Sequence, residues 1–340
     1  MSITQLAKDL NLSKSTVSRA LNDYPDVSFE TRERVQKRAE EIGYIPNPVA
    51  QRLKQGKSNA VGVVLPPPLD NGAFIEPFYS TMLGSLVIEL EKSGLQLLVT
   101  TQKTSASDDD VVSYRKMFQR GLVDALLILR THSNDPRVEF ALQHNFPFVT
   151  YGRTEKETKH TWVDVDHEQA IYSAVIRQVG RGHRQIAFIS TKSRYNYAQL
   201  RTEGYVQALK DSGIPFYPRW LVESGLNIDD GYRTALKLLK TEPRPTSIVC
   251  TTDDIAIGTM TACREFGLVP GKDIAIMGYG NSAACEHTSP PLTSIEAFPK
   301  QLGEKIGKFF TERLDGNTSD ALQHVQSTKI IERDSDPVLT

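Results

Sequence analysis

Apolar residues recur at two different spacings, and the change of spacing near residue 60 divides the chain into a small head and a larger body. In the head, Ile3, Leu6 and Leu10 lie three or four positions apart, which predicts an amphipathic helix ending at about Leu10. Ser2 and Gln5 have the spacing of a capping box, so this helix should begin immediately after Ser2. The chain therefore opens with a short helix that needs a partner for its apolar face.

Two more short helices follow in the head. Ser13 can cap a second helix over Lys14–Leu21, whose apolar face includes Val17 and whose other side chains are mostly small hydroxyls and cations. A third helix should start after Ser28 and end at Gly43. Three short helices with a tight turn between the first two are typical of a helix-turn-helix unit.

From residue 60 onward, short apolar runs alternate with amphipathic segments. The apolar runs predict strands at Ala60–Leu65, Leu95–Thr100, Ala125–Leu129, Phe148–Tyr151, Trp162–Val165, Gln185–Ser190, Ser247–Thr251, Ile274–Gly278 and Ser294–Ala297. The amphipathic segments predict helices at Tyr79–Ser93, Asp109–Arg120, Ala170–Arg181, Tyr197–Ser212, Asp229–Leu239 and Ile255–Phe266. This order predicts an α/β body of two similar lobes, each a parallel sheet between helices, with a ligand cleft at the carboxyl ends of the strands.

Composition and charge restrict the class of protein. The 340 residues are 39% apolar and 24% charged, which is typical of a globular protein with an ample core. The apolar runs are far shorter than the ~20 residues of a membrane helix, and no leader sequence is visible, so we expect a cytoplasmic protein without membrane contact. Residues 1–58 hold ten Lys and Arg against seven Asp and Glu, a net charge of +3. A basic head on a mildly acidic body indicates a nucleic-acid partner.

Several short motifs resemble ligand or catalytic sites without completing one. Gly56–Ser58 resembles the end of a phosphate loop, but Gln51 stands where that loop needs a glycine. Gly278–Gly280 lacks the third glycine of a dinucleotide fingerprint, and Asp108–Asp110 is explained by the dipole of the helix that it opens. The three cysteines and seven histidines have no metal-ligand spacing, and no nucleophile elbow is found. We therefore expect no cofactor, no metal site and no catalysis.

With these patterns in place, the chain strongly resembles the LacI/GalR family of bacterial transcription regulators. The resemblance is carried by "LAKDLNLSKSTVSRALND" and "VSFETRERVQKRAEEIGYIPNPVAQRL" in the head. It continues through "GLVDALLIL", "RGHRQIAFIS", "LRTEGYVQAL", "PTSIVCTTDDIAIGTMTACREFGLVPGKDIAIMGYGN" and "PPLTSI", and so covers nearly the whole chain. It implies a homodimer that binds a palindromic operator in double-stranded DNA, and a body like the periplasmic sugar-binding proteins, with a small effector between the lobes.

The resemblance also implies a division of the chain. The expected parts are residues 1–46 as helix-turn-helix domain, 47–58 as hinge helix and linker, 59–162 with about 296–322 as lobe 1, and 163–295 with about 323–340 as lobe 2.

The second helix is the expected recognition helix. Side chains near the amino end of such a helix reach base edges in the major groove, and here these are Lys14 and Ser15, with Arg19 one turn later. Lys and Arg can donate hydrogen bonds to O6 and N7 of guanine, and each such contact contributes ~1–3 kcal/mol of discrimination against the wrong base. Asn22, at the end of this helix, is also expected to contact DNA.

Hydroxyl side chains of the same helix are expected to contact the DNA backbone. Ser13, Thr16 and Ser18 can donate to phosphates, which fixes position without reading sequence. For Thr16 and Ser18, local capping of the helix is an equally good interpretation.

The hinge is expected to act in the minor groove. By resemblance, the family's hinge helix corresponds to Pro48–Lys54, with Ala50 and Leu53 at the positions that enter the groove. So short a helix is unstable alone, because nucleation is costly. It should therefore form when DNA and a second hinge hold it, with Leu53 wedging apart a base step.

The effector-binding residues are expected at the cleft between the lobes. Arg201 in "LRTEGY" matches the arginine that fixes effector hydroxyls or a carboxylate in the family. Phe78 and Tyr79 lie near the first helix of the body, where aromatic faces can stack on a sugar ring, and Arg153 follows a strand of lobe 1.

Lobe 2 and the crossover supply the remaining expected contacts. Tyr195 and Tyr197 are candidate walls, with exposure in a loop as the alternative for either, and Thr252 and Asp253 follow a strand. Asn281 stands beside Gly280, which replaces an aspartate common in the family. A mono- or oligosaccharide, such as a glucoside, is the expected effector, with a purine corepressor or a sugar phosphate as alternatives. Competing functions are a transporter's solute-binding protein, which a leader peptide would favour, and an enzyme that uses the cleft.

Overall fold

The computed structural model describes residues 2–44, 57–65, 76–102, 111–154, 159–316 and 321–339. The chain separates into two compact units, Met1–Asn59 and Ala60–Thr340, which correspond to the head and the body. Each unit has a hydrophobic core of its own. Among the described residues, no helix combines the length and the apolar character that crossing a bilayer requires.

The described part of the head folds as three helices. They are α1 (Ile3–Leu10), α2 (Lys14–Leu21) and α3 (Phe29–Glu41), so the predicted bounds of the first two and the predicted start of the third are confirmed. Their shared core is formed by Leu6, Ala7, Val17, Ala20, Val27, Val35 and Ala39. Asn11 takes the left-handed conformation (φ 54°) that ends α1 and allows the tight turn into α2.

A serine begins each helix of the head. The hydroxyls of Ser2, Ser13 and Ser28 accept hydrogen bonds from backbone N–H groups three residues later, at 3.4, 3.0 and 3.3 Å. The Gln5 side chain donates to Asp9 at 2.7 Å. Among the hydrogen bonds of the described residues, only the serine half of the predicted capping box forms, because Gln5 is held by the next turn of its own helix.

The described strands of the body form two six-stranded sheets. The strands are β1 (Ala60–Leu65), β2 (Gln96–Thr101), β3 (Ala125–Leu129), β4 (Phe148–Tyr151), β5 (Trp162–Val165), β6 (Ile186–Ser190), β7 (Leu221–Glu223), β8 (Ser247–Cys250), β9 (Ala275–Tyr279), β10 (Thr293–Glu296), β11 (Gln323–Gln326) and β12 (Lys329–Ile331). Lobe 1 holds the order β11-β5-β4-β3-β1-β2, and lobe 2 the order β12-β10-β9-β8-β6-β7. Pairing is parallel except between β10 and β12.

Helices cover these sheets. They are α4 (Pro77–Glu91), α5 (Val111–Gln119), α6 (Pro136–Gln143), α7 (His167–Gly180), α8 (Asn196–Asp211), α9 (Ile228–Leu238), α10 (Asp253–Glu265) and α11 (Pro299–Leu314). The predicted fold class, a small helical head and a body of two similar parallel-sheet lobes, is confirmed. Each of the nine predicted strands lies within one residue of its observed bounds.

The sequence patterns missed strands β7, β11 and β12 and helices α6 and α11. β7 and β12 are three residues long and β11 is polar, so none of them shows a repeat that can be recognised.

The chain crosses between the lobes slightly later than predicted. The predicted boundaries place residues 163–165 and 323–326 in lobe 2, but β5 and β11 pair with each other in the sheet of lobe 1. The correction follows from strand pairing, because Asp164 and Val165 continue a strand whose neighbour is β4. Helix α11 then packs closely on α4, where a Cβ at Gly303 would overlap the carbonyl oxygen of Met82.

Candidate functional site

The amino end of α2 presents small polar side chains around a tight cap. Ser13 accepts from the Thr16 N–H at 3.0 Å, and the two hydroxyl oxygens are 2.8 Å apart. Lys14 and Ser15 are exposed. For Thr16, the local capping interpretation therefore describes the free head, whereas Lys14 and Ser15 lie open to a partner.

Arg19 lies one turn further along α2 and is held at the surface. Its Nε donates to Asp26 at 3.2 Å, its Nη2 forms an ion pair with the same carboxylate, and its guanidinium lies 5.4 Å from the Tyr24 ring centre. The side chains of Arg19 and Asp26 are 45% and 48% exposed, so this pair is solvated and costs little to separate. Arg19 is thus oriented and still accessible.

The other predicted DNA contacts are less open or lie outside the described residues. Asn22 donates from its side-chain amide to the Ser18 carbonyl at 2.6 Å, which ties it to the end of α2. Ala50 and Leu53 of the predicted hinge lie outside the described residues.

The body contains a cavity of about 570 Å³ at the carboxyl ends of its strands. It is lined from lobe 1 by residues around the start of α4 and the ends of β3 and β4, and from lobe 2 by residues around the starts of α7, α8 and α10 and the ends of β8, β9 and β10. This size lies within the usual range for small-molecule sites. The place is the one expected for ligands of such sheets.

Seven of the nine predicted effector residues line this cavity. They are Phe78, Tyr79, Tyr197, Arg201, Thr252, Asp253 and Asn281. Arg153 and Tyr195 are not among the lining residues. Arg153 instead donates from Nε to Asp164 at 2.8 Å, and Tyr195 stacks behind Tyr197 with ring centres 5.6 Å apart.

Aromatic rings form much of the cavity wall. Phe78, Tyr79 and Tyr151 contact one another with ring centres 5.6 to 5.9 Å apart. Tyr197 and Tyr279 face them from lobe 2, and burial raises the pKa of Tyr197 to about 12. Such rings offer flat apolar faces together with hydroxyl groups, a combination that suits the faces and rims of sugar rings.

Arg201 is a buried cation whose observed partners are neutral. Its Nη1 donates to the carbonyl and hydroxyl oxygens of Thr251 at 2.7 and 2.8 Å. Its Nε donates to His167 Nδ1 at 3.3 Å, and its guanidinium lies 3.6 Å from the Tyr279 ring centre. These contacts orient Arg201 at the cavity wall without neutralising its charge.

His167 joins Arg201 to lobe 1. His167 Nε2 lies 3.2 Å from Asp164 on β5, while its Nδ1 faces the Arg201 Nε–H and the Tyr279 hydroxyl, at 3.3 and 3.2 Å. Burial and the neighbouring Arg201 charge lower the pKa of His167, so the ring is neutral, with Nε2 donating and Nδ1 accepting. Despite burial, His167 and Arg153 hold the pKa of Asp164 below its usual value.

Asp253 and Asn281 line the cavity but are already hydrogen-bonded within the protein. Asp253 accepts from the Ser282 N–H at 2.7 Å and from the Ser294 hydroxyl at 2.5 Å. The Asn281 amide donates to Glu296 at 2.8 Å and accepts from Arg333 at 2.8 Å. Their observed bonds fix the loop after β9.

Sequence reasoning missed several charged or aromatic lining residues. These are Glu76, Arg130, Tyr151, His167, Asp254, Tyr279 and Lys300. Arg130, Tyr151 and Tyr279 each stand at or directly after the end of a strand, so the rule that places ligands at strand ends could have found them. Nothing in the sequence shows which of them point into the cleft.

Comparison with known proteins relates both units to characterised families. Residues 2–47 match the model of bacterial regulatory proteins of the lacI family, and residues 177–335 match a periplasmic binding protein-like domain.

Similar chains cover almost the whole length. HTH-type transcriptional regulator AglR of Rhizobium meliloti is 32% identical over 91% of this chain and 86% of its own. HTH-type transcriptional regulator RafR of Escherichia coli is 31% identical over 95% of this chain and 95% of its own. The structure of a CelR–cellobiose complex has a TM-score of 0.76 at 25% identity, covering 98% of this chain and 99% of that one. With AglR and RafR above 30% identity over most of their lengths, this chain belongs to the lacI family of helix-turn-helix transcription regulators.

Proposed function

We propose that this protein is a cytoplasmic repressor whose affinity for a palindromic operator is set by a carbohydrate bound in the cavity of the body. The observation that carries the proposal is the cavity itself, where aromatic faces surround an oriented, unneutralised Arg201. The cellobiose in the similar CelR complex supports a carbohydrate as the ligand.

Operator reading is assigned to the exposed side of α2. Lys14, Ser15 and Arg19 contact base edges, while the hydroxyls near the cap contact phosphates as α2 enters the major groove. Asp26 holds Arg19 beside Tyr24 before binding, which limits the side-chain freedom that binding must remove.

A homodimer places two such heads on one operator, and lobe 1 offers an interface for it. Among the described strands, β2 lies at the edge of its sheet, and Leu98 and Val99 on it are 37% and 42% exposed. Nearby in sequence, Ile88 on α4 is 63% exposed. Apolar side chains on an open sheet edge favour pairing with a second chain.

Coupling between sugar and operator is assigned to the relation between the two lobes. A ligand that prefers one arrangement of the lobes shifts the population toward it and so changes the distance between the two hinges of the dimer. Couplings of this kind are typically ~1–3 kcal/mol, a 5- to 150-fold change in affinity.

Two features favour binding over catalysis in the cavity. His167, a natural general base, is already bonded on both nitrogens by protein groups. The three cysteines are not among the lining residues, and burial raises their pKa values to about 12, far from the reactive thiolate range.

A thermal-shift screen of sugars and nucleobases, followed by operator binding with and without each hit, tests the proposal. We expect a sugar to raise the melting temperature and to change operator affinity by about 5- to 150-fold. The proposal is contradicted if only nucleobases raise the melting temperature. It is also contradicted if a sugar that binds leaves the operator affinity unchanged.

A further inference from the structure

Lobe 1 presents an arginine already paired with an acid at the cavity wall. Arg130 follows β3 and Glu76 precedes α4, and the two side chains form an ion pair with exposures of 12% and 13%. The Arg130 guanidinium also lies 5.4 Å from the Tyr79 ring centre. The positive charge on this side of the cavity is therefore neutralised before any ligand arrives.

Lobe 2 presents an acid without such a partner. Asp254 is the second residue of α10, lines the cavity and is half-buried, and no group in the described part of the chain hydrogen-bonds to its carboxylate. The preceding Asp253 is instead bonded to Ser282 and Ser294. Burial raises the pKa of Asp254, and the charges of Asp253 and Glu76 add to this effect. An acceptor that has lost part of its water thus faces the cavity.

The donor and acceptor character of these groups selects among ligands. A guanidinium only donates hydrogen bonds and a carboxylate only accepts them, whereas a hydroxyl does both. Neighbouring sugar hydroxyls can therefore donate to Asp254 and Glu76 and accept from Arg130. A phosphate can only accept, so near Asp254 it leaves that carboxylate unsatisfied and adds like-charge repulsion.

Two other cations line the cavity, and Arg201, which keeps its charge, has most of its hydrogen-bond donors already committed. Arg201 has its Nη1 and Nε committed to Thr251 and His167, with its face on Tyr279. Lys300 is exposed at the edge, where water screens its charge.

We infer that Asp254, acting with the Glu76–Arg130 pair, makes the cavity select a neutral sugar over the phosphate ester of the same sugar. The inference rests on the proposed carbohydrate-sensing function and names the chemical class of the ligand. Asp254 is then a specificity-determining residue, whose carboxylate accepts hydrogen bonds from the hydroxyl groups of the ligand.

Matched pairs of ligands test this selection. Calorimetric titration of the full-length protein with cellobiose, maltose, sucrose and trehalose, and with the 6-phosphate of each, measures the ratio of affinities within each pair. We expect at least one neutral sugar to bind, and its phosphate to bind about 10- to 100-fold more weakly.

Two variants and one control assign the selection to its residues. Asp254→Asn should weaken binding of the neutral sugar and so reduce the ratio of its affinity to the affinity of its phosphate. Glu76→Gln frees Arg130, so it should strengthen binding of the phosphate, a gain that misfolding cannot produce. Asp229→Asn removes the acid at the same second position of helix α9, which is exposed outside the cavity, and should retain the wild-type ratio.

The possible failures are distinct. The inference is wrong if a sugar phosphate binds as tightly as its neutral sugar. It is also wrong if Asp254→Asn leaves the ratio of the two affinities unchanged. Neither result contradicts the proposal that the protein senses a sugar. If no sugar of either series binds and no sugar of the thermal-shift screen stabilises the protein, carbohydrate sensing itself is wrong and the inference falls with it; a sugar found in that screen is compared with its own phosphate in the same way.

Discussion

The head and the body place their candidate binding residues in opposite physical environments. In the head, Lys14, Ser15 and Arg19 stand on one eight-residue helix and face water. In the body, Arg201 and His167 are buried, and their positions depend on one another and on strands far away in the sequence. The head therefore resembles a surface whose contacts can be removed singly, whereas the body resembles a network in which one change affects several groups.

Replacing Arg201 should produce the largest effect and would show the network character of the body. Arg201→Ala removes the donors to Thr251 and leaves His167 Nδ1 without its Arg201 donor. Loss of a charged hydrogen-bonding group predicts about 100-fold weaker sugar binding by calorimetry, while operator binding remains. Arg219→Ala removes an exposed arginine of the same lobe and should bind sugar normally. A normal response in Arg201→Ala would remove Arg201 from the site.

Replacing Arg19 should weaken operator binding without affecting the body. Arg19→Ala removes one base-reading contact, so operator affinity should fall by ~1–3 kcal/mol, with a much smaller loss on random duplex. Fluorescence anisotropy on both duplexes measures the difference, and Arg34→Ala, an exposed arginine of α3, is the control. Equal losses on operator and random duplex would refute base reading by Arg19.

Acidification should destabilise the body through His167. The folded state lowers the pKa of this ring, so below its ordinary value of 6.5 the unfolded chain binds a proton that the folded chain refuses. Stability should therefore fall from pH 6.5 downward, until the lowered pKa of the folded state is reached. Thermal melts between pH 7.5 and pH 5.5 measure the fall. Burial also lowers the pKa of His183, so His167→Asn should reduce the slope rather than remove it; an unchanged slope in that variant would contradict this assignment.

Replacing Asp26 should have the smallest effect, because the pair that it forms is exposed. Asp26→Asn removes the partner of Arg19 at the surface of the head. Exposed pairs contribute less than about 1 kcal/mol, so operator affinity should change by only a few-fold, and less at high salt. A loss as large as that of Arg19→Ala would show that Asp26 is itself needed for reading.

The same contrast explains how much the sequence could predict. The recognition surface lies within one helix, so its cap and its apolar period place every exposed residue, and the observed bounds of α2 agree. Arg130 and Arg153 both follow strands of lobe 1, yet only Arg130 lines the cavity, because Arg153 turns to Asp164. That choice depends on an acid eleven residues away in another strand, which no local pattern contains.

Contacts between residues distant in sequence also determine the boundary between the lobes and which carboxylate of the cavity is free to bind a ligand. β11 belongs to lobe 1 because it pairs with β5, a contact across more than 150 residues that leaves no periodic signal. Asp253 and Asp254 are adjacent in sequence, but the loop after β9 binds only the first. The sequence indicates an acidic helix start, and tertiary packing determines which carboxylate is free for a ligand.

Selection from a randomised duplex library by the full-length protein, with and without a stabilising sugar, tests whether the protein is a sugar-controlled reader of a symmetric operator. We expect enrichment of a two-fold symmetric site and a change of that enrichment when the sugar is added. Recovery of random duplex with no preferred sequence, in both the presence and the absence of the sugar, would contradict it.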